Sequence, residues 1–160
     1  MSSQVLTPQV SPALDAWVRL LRAHAATTRA MSAELVADHG LTINDFEALL
    51  HLSRADNSAM RRVDLAEQLL LTPSGVTRLL DGLERAGWVT KGSCSTDARV
   101  TYAVLTDDGR AKLERASRSH VLQIRALFEE RFSAKELETL GGLLARLPGA
   151  TDVDGGDCTE

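Results

Sequence analysis

Apolar residues recur every three or four positions through most of this chain, in runs separated by polar or glycine-bearing breaks. From about Pro12 to His39 they fall at Leu14, Trp17, Val18, Leu21, Ala25, Met31 and Leu35, which is helical spacing, and Gly40 is placed to end that helix. Thr42 opens a second helix, with Asp45 three residues on as its capping-box partner and Phe46, Leu49, Leu50 and Leu52 on its apolar face. Ala55 to Ala59 reads as a polar turn. A short third helix follows over about Arg62 to Leu70, with Leu65, Ala66, Leu69 and Leu70 inward. Thr72 is the N-cap of a fourth helix and Pro73 its first residue, where a missing N–H costs nothing. Val76, Leu79, Leu80 and Leu83 form its buried stripe, and Gly87 stops it.

The pattern then changes. Trp88 to Lys91 and Arg99 to Leu105 are rich in β-branched and aromatic residues, and the polar link Gly92 to Ala98 joins them as a hairpin. The Val100, Tyr102, Val104 face of the second strand is more apolar than a solvent face should be. Thr106 caps a long helix with Asp107 and Asp108 in its first turn. Its apolar positions are Leu113, Ala116, His120, Val121, Ile124, Leu127 and Phe128. Ser133 and Glu136 form another capping box, and the last helix buries Leu137, Leu140, Leu144 and Leu147 before Pro148.

Four helices, a hairpin and two helices make a mainly α (α+β) chain. The third and fourth helices with the hairpin form a winged helix-turn-helix with a two-stranded wing. The remaining long helices carry more apolar stripe than one small domain can bury, which implies a partner surface. A two-fold homodimer built from both chain ends is the economical solution. The expected division is a disordered start over 1–11, a dimerisation helix over 12–40, and a DNA-binding lobe over 41–106. Dimerisation helices over 107–148 and an acidic disordered tail over 149–160 complete it.

Composition narrows the class without naming it. Hydrophobic residues are 44% and charged residues 25% of the chain, ordinary for a globular protein. No apolar run is long enough for a membrane span, and the first residues do not read as a signal peptide. Cys94 and Cys158 are far apart and make no disulfide framework, so a reducing, cytoplasmic location is expected. The net charge of −4 looks wrong for a nucleic-acid binder. Asp152, Asp154, Asp157 and Glu160 account for it, and the stretch from Arg61 to Arg99 is slightly basic. A local patch, and not the total, sets phosphate binding.

With its leucines inward, the fourth helix must turn Ser74, Gly75, Thr77, Arg78 and Asp81 outward. Ser74 and Thr77 are short hydroxyl residues that let the backbone approach a groove floor. Gly75 costs roughly 1 kcal/mol of helix propensity, which close approach to DNA at a helix N-terminus would offset. Arg78 is the residue for a direct base contact, since arginine to guanine O6 and N7 is the commonest specific pairing. The bland reading pairs it with Asp81 or Glu84 on the surface. Arg99 at the wing can enter a narrow minor groove, with Asp97 orienting it. Arg61, Arg62 and Lys91 are phosphate contacts or exposed charges. No nucleophile–base spacing, phosphate loop or paired metal site emerges, so an enzyme is not expected and no cofactor is implied.

These residues resemble the MarR family (multiple antibiotic resistance regulators). LTINDFEALLHL, VDLAEQLLLTPSGVTRLLDGLERAGWV and DARVTYAVLTDDGR carry the resemblance, which with the flanking helices covers about residues 12 to 147. It implies an obligate homodimer, a winged helix-turn-helix in each protomer and a pseudo-palindromic operator in double-stranded DNA. Repression relieved by a small phenolic or other aromatic acid is also implied. Thr72 and Pro73 open the matching helix. Ser74, Gly75, Thr77 and Arg78 match the recognition contacts, and Asp97 and Arg99 match the wing pair. Ala98 departs from the pattern, because the family often has a second basic residue there.

Family effectors lie between the dimerisation helices and the DNA-binding lobe, where Trp17, Arg22, His24, Phe46 and His51 are the candidates. An aromatic acid could stack on Trp17 and pair with Arg22; the plain alternative is a core tryptophan with a hydrogen-bonded histidine. Other readings stay open: a helical protein-interaction dimer that does not bind DNA, or a regulator of the same fold responding to redox through Cys94. A zinc-responsive regulator would have to gather His24, His39, His51 and His120 by folding.

Overall fold

The computed structural model describes residues 11–93 and 100–150. Six α-helices and three strands run in the order α1 (Pro12–His39), α2 (Ile43–Arg54), β1 (Ala59–Arg61), α3 (Arg62–Gln68), α4 (Pro73–Arg85), β2 (Val89–Ser93), β3 (Thr101–Leu105), α5 (Asp107–Glu129) and α6 (Ala134–Leu144). A 3-10 turn at Asp56–Ser58 leads from α2 into β1. Two compact units divide inside α5, the first ending at His120 and the second beginning at Val121.

In the first unit the core is aliphatic. Leu35, Leu41, Leu49, Leu52, Leu65, Leu80 and Leu83 are fully enclosed, with Phe46, Val76, Val89, Ala103, Leu105 and Leu113 around them. The periodic residues of α2 and α4 are thus where their spacing puts them. The capping box of α2 is present in full: Thr42 Oγ1 accepts from the Asp45 N–H, and the Asp45 carboxylate accepts from the Thr42 N–H. Gly40 ends α1 in the left-handed region at φ 66°.

Among the described residues a third strand joins the two of the expected hairpin. β3 is central, paired antiparallel with β2 (Val89 opposite Leu105) and with β1 (Met60 opposite Ala103). The stretch read as a polar turn therefore ends in a strand, Ala59–Arg61, that also leads directly into α3. A central strand is flanked on both edges, which accounts for the apolar Tyr102 and Val104 face: both are half-buried, beside Arg61 and Ala59 on one side and Gly92 and Thr90 on the other.

A second difference is at the helix-turn-helix turn. Leu70 does not point inward; it is 92% exposed and has φ 53°. The Leu70 N–H bonds the Glu67 carbonyl and the Leu71 N–H bonds the Ala66 carbonyl, which is a Schellman ending with Leu70 at the left-handed position. At the end of α4 the same pattern is made by Gly87, with bonds from Gly87 to Glu84 and from Trp88 to Leu83. A side chain in the left-handed region costs about 1–2 kcal/mol, while glycine loses roughly 0.5–1 kcal/mol of extra chain freedom. Leu70→Gly is therefore expected to stabilise the fold by about 0.5–1 kcal/mol in a denaturant titration. A clear loss of stability would show that Leu70 packs against something in the working protein.

The start of α5 is bolted to the end of α4. Thr106 Oγ1 donates to the Gly87 carbonyl at 2.7 Å and accepts from the Gly109 N–H at 3.0 Å, and the Thr106 N–H reaches the Trp88 carbonyl at 3.1 Å. Lys112 Nζ sits 4.7 Å from the centre of the Trp88 ring. At the other end of α1, His39 Nε2 meets Ser119 Oγ of α5 at 2.6 Å.

The second unit holds the rest of α5 and α6. Ser133 and Glu136 make the expected capping box, and hydrogen bonds from the Ser133 N–H and hydroxyl hold the Glu136 carboxyl below its ordinary range. The apolar stripe of α6 is not buried, contrary to its expected packing. Leu137 and Leu140 are half-buried and Leu144 and Leu147 are exposed.

Candidate nucleic-acid interface

Two faces of α4 are set by one sequence. Val76, Leu80 and Leu83 are within the core and Leu79 is half-buried, so Ser74, Thr77, Arg78, Asp81 and Arg85 are exposed on the opposite side. Thr72 Oγ1 caps the helix by accepting from the Gly75 N–H at 3.1 Å, and Pro73 follows it. Gly75 has a local reason beside any approach to DNA. A Cβ there would lie 3.2 Å from Thr72 Oγ1 and 3.7 Å from Leu71 Cβ, pressing on the capping hydroxyl. Ser74 Oγ is 3.2 Å from the same Thr72 oxygen.

The basic residues differ in what they are already doing. Arg61 holds Asp64 with two hydrogen bonds, Nε to Oδ2 at 2.6 Å and Nη2 to Oδ1 at 2.7 Å; those bonds, with the aspartate's charge, raise the arginine pKa further. Lys91 on β2 pairs with Glu84 on α4 at 3.1 Å. That contact takes up one of the two acids Arg78 could have paired with. Arg78 itself has no hydrogen bond or ion pair among the described residues and is exposed. Arg62 is half-buried, and its Nη2 is enclosed with no hydrogen-bond partner among the described residues. An enclosed charged donor without an acceptor is costly.

Arg62 lines a cleft of about 580 Å³ between α3, the start of α4 and the start of β3. Arg61, Val63, Pro73, Thr77 and Thr101 are among its walls. The sequence carried no sign of this cleft, because its walls come from β1, α3, α4 and β3, joined only in the folded chain. Asp97, Arg99 and Cys94 lie outside the described residues.

Trp17 is 56% exposed, and Arg22 and His24 are exposed on the same helix. Phe46 is in the core, edge-on to the buried His120 ring with centroids 4.8 Å apart, and His51 is half-buried. Among the described residues no hydrogen bond, ion pair or ring contact joins any two of the five, and no group of three or more histidine, cysteine or acidic residues could hold a metal ion. No described helix is long and apolar enough to cross a membrane.

Comparison with known proteins bears on this arrangement directly. A sequence model of the MarR family matches residues 39–100, the stretch from the end of α1 to the start of β3. The HTH-type transcriptional repressor YetL of Bacillus subtilis is 33% identical over 115 residues, covering 69% of this chain and 68% of that protein. The chain belongs to the MarR family. Among solved structures, a MarR family transcriptional regulator from Streptomyces coelicolor in complex with DNA is similar with a TM-score of 0.75 and 26% identity, over 81% of each chain. A mutant of the MarR protein of E. coli complexed with operator DNA is similar with a TM-score of 0.70 and 25% identity, over 79% of this chain and 89% of that one. This MarR family chain is a DNA-binding transcription regulator and not an enzyme, and its winged helix matches those of its structural relatives.

Proposed function

We propose that this regulator is a homodimeric repressor whose two α4 helices enter successive major grooves of a pseudo-palindromic operator, about 34 Å apart. The observation that carries the reading is Arg78, exposed on the face of α4 opposite its buried leucines and without a hydrogen bond or ion pair among the described residues. Thr72, Pro73, Ser74, Gly75 and Thr77 present the start of the helix to the groove. Asp97 and Arg99 keep the wing role that the resemblance gives them. Arg61 and Lys91, each held by an acid, are preordered for the DNA backbone. The relative YetL is a repressor by name, which supports that sign of regulation.

Dimerisation follows from the apolar surface one chain leaves uncovered. Leu14, Trp17, Val18 and Leu21 are exposed on α1, and Val121, Leu122, Ile124, Phe132, Leu143, Leu144 and Leu147 are exposed in the second unit. Burying such a surface is worth about 25 cal/mol per Å², so a second copy is the favoured cover. Trp17 and Arg22 offer an aromatic face and a cation for a small aromatic acid. Such an effector releases the operator by preferring a lobe spacing that does not fit it. The protein works in the cytoplasm, where its operator is.

Arg62 is the seat for a backbone phosphate in the cleft beside α4. The test is operator binding over a salt series for the wild type and Arg62→Ala. Affinity is expected to fall by a similar factor on all sequences, with the log–log salt slope reduced by about 2, one contact for each protomer. An unchanged slope removes Arg62 from the contact. A footprint on DNA upstream of the regulator's own coding region, repeated with a panel of aromatic acids, tests operator and effector together; no protection in any lane overturns the repressor reading.

A further inference from the structure

Thr77 stands one residue before Arg78 on the exposed side of α4, and its hydroxyl donates to the Pro73 carbonyl at 2.8 Å. A hydroxyl has a single proton, and this one is spent within the helix. What the side chain keeps for a partner is a methyl group and oxygen lone pairs. It is therefore a poor donor to guanine or to thymine O4. Ser74, the other hydroxyl on this face, has no methyl at all. Among base edges in the major groove only thymine carries an exposed methyl, and threonine against that methyl is a recognised apolar match. The lone pairs face the same base pair without conflict, because adenine opposite offers the N6 donor.

We infer that Thr77 reads a thymine by methyl-to-methyl contact, beside the guanine read by Arg78. This rests on the reading of α4 as the groove-facing helix. The hydroxyl, tied back to Pro73, positions the methyl and carries no readout of its own.

The experiment begins with duplexes that the full-length protein selects from a random pool. Each thymine in the selected site is then replaced by deoxyuridine, which deletes the base methyl and leaves the hydrogen-bonding edge intact. Wild type is expected to lose roughly fourfold in affinity at one thymine per half-site, the factor that one buried methyl is worth. Thr77→Val, which keeps a methyl and removes the hydroxyl, is expected to retain both the affinity and the sensitivity to deoxyuridine. Thr77→Ser, which keeps the hydroxyl and removes the methyl from both protomers, is expected to bind roughly fifteenfold more weakly and to become indifferent to the replacement. Indifference of the wild type at every thymine overturns the inference while leaving sequence-specific binding through Arg78 intact. So does a Thr77→Val protein that loses as much affinity as Thr77→Ser. Failure to select any preferred duplex overturns the groove-facing reading itself, and the thymine contact with it.

Discussion

Gly109→Ala is expected to be the most damaging single substitution in the DNA-binding half of this protein. Gly109 lies in the first turn of α5, buried against the end of α4. A Cβ built on it would fall 2.0 Å from the Trp88 carbonyl oxygen and 2.8 Å from Leu105 Cδ1. The first of these is backbone, and that backbone cannot yield locally. The same Trp88 carbonyl receives the Thr106 N–H, and the neighbouring Gly87 carbonyl receives the Thr106 hydroxyl. Relief of the clash must break these bonds or lift α5 from the wing. Overpacking in a well-filled core costs about 1–3 kcal/mol, and a backbone clash of this depth belongs at or above the top of that range. A loss of about 3 kcal/mol predicts a fall in melting temperature of roughly 10 °C, or a protein that does not accumulate folded. Gly82→Ala supplies the contrast. Nothing lies within 4 Å of a Cβ at that position inside α4, so alanine there is expected to be neutral or to stabilise by about 0.5–1 kcal/mol. Equal melting temperatures for Gly109→Ala and the wild type would refute the close-approach account.

Arg78→Ala is expected to have the largest effect on DNA recognition. The arginine has five donors in a planar fork and none of them is engaged among the described residues. A bidentate arginine–guanine pair discriminates against a wrong base by about 1–3 kcal/mol, so the dimeric variant, which loses one pair in each half-site, should bind its operator at least roughly thirtyfold more weakly and lose its preference at one position per half-site. Binding to unrelated DNA, which depends on charge, should fall much less. Arg78→Lys separates the two contributions, because lysine restores the charge and not the fork. It is expected to recover non-specific affinity and to leave the lost preference unrestored. If operator affinity and sequence preference both survive Arg78→Ala, the base contact does not exist.

Much of this arrangement could be read from the residues before any fold was known. The polar side of α4 follows from the positions of Val76, Leu80 and Leu83, since only one side of such a rod can be apolar. Thr42 with Asp45, Ser133 with Glu136, Thr72 with Pro73, and Gly87 all sit where their short-range chemistry places them. The state of each cation was not legible. Lys91 meets Glu84 only because strand β2 returns alongside α4, and Arg62 and Thr101 line one cleft only because β3 comes beside α3. Leu70 counted as one more inward leucine by periodicity. The closing hydrogen bonds of the turn, which act on the backbone and ignore the side chain, rotate it into solvent.

The sequence by itself determined the helices, their caps, the wing and which face of α4 is polar. These depend on residues within a few positions of one another, where spacing and capping chemistry act without help from the rest of the chain. Only the tertiary structure decided that Ala59–Arg61 is a strand, that β3 is central, that Gly109 is the contact point of α5 with Trp88, and that Arg78 has no partner among the described residues. Each of these depends on groups distant in sequence meeting in space. A three-residue strand has no signal apart from the edge it pairs with, and a glycine in a helix shows its reason only when the opposing carbonyl is in place.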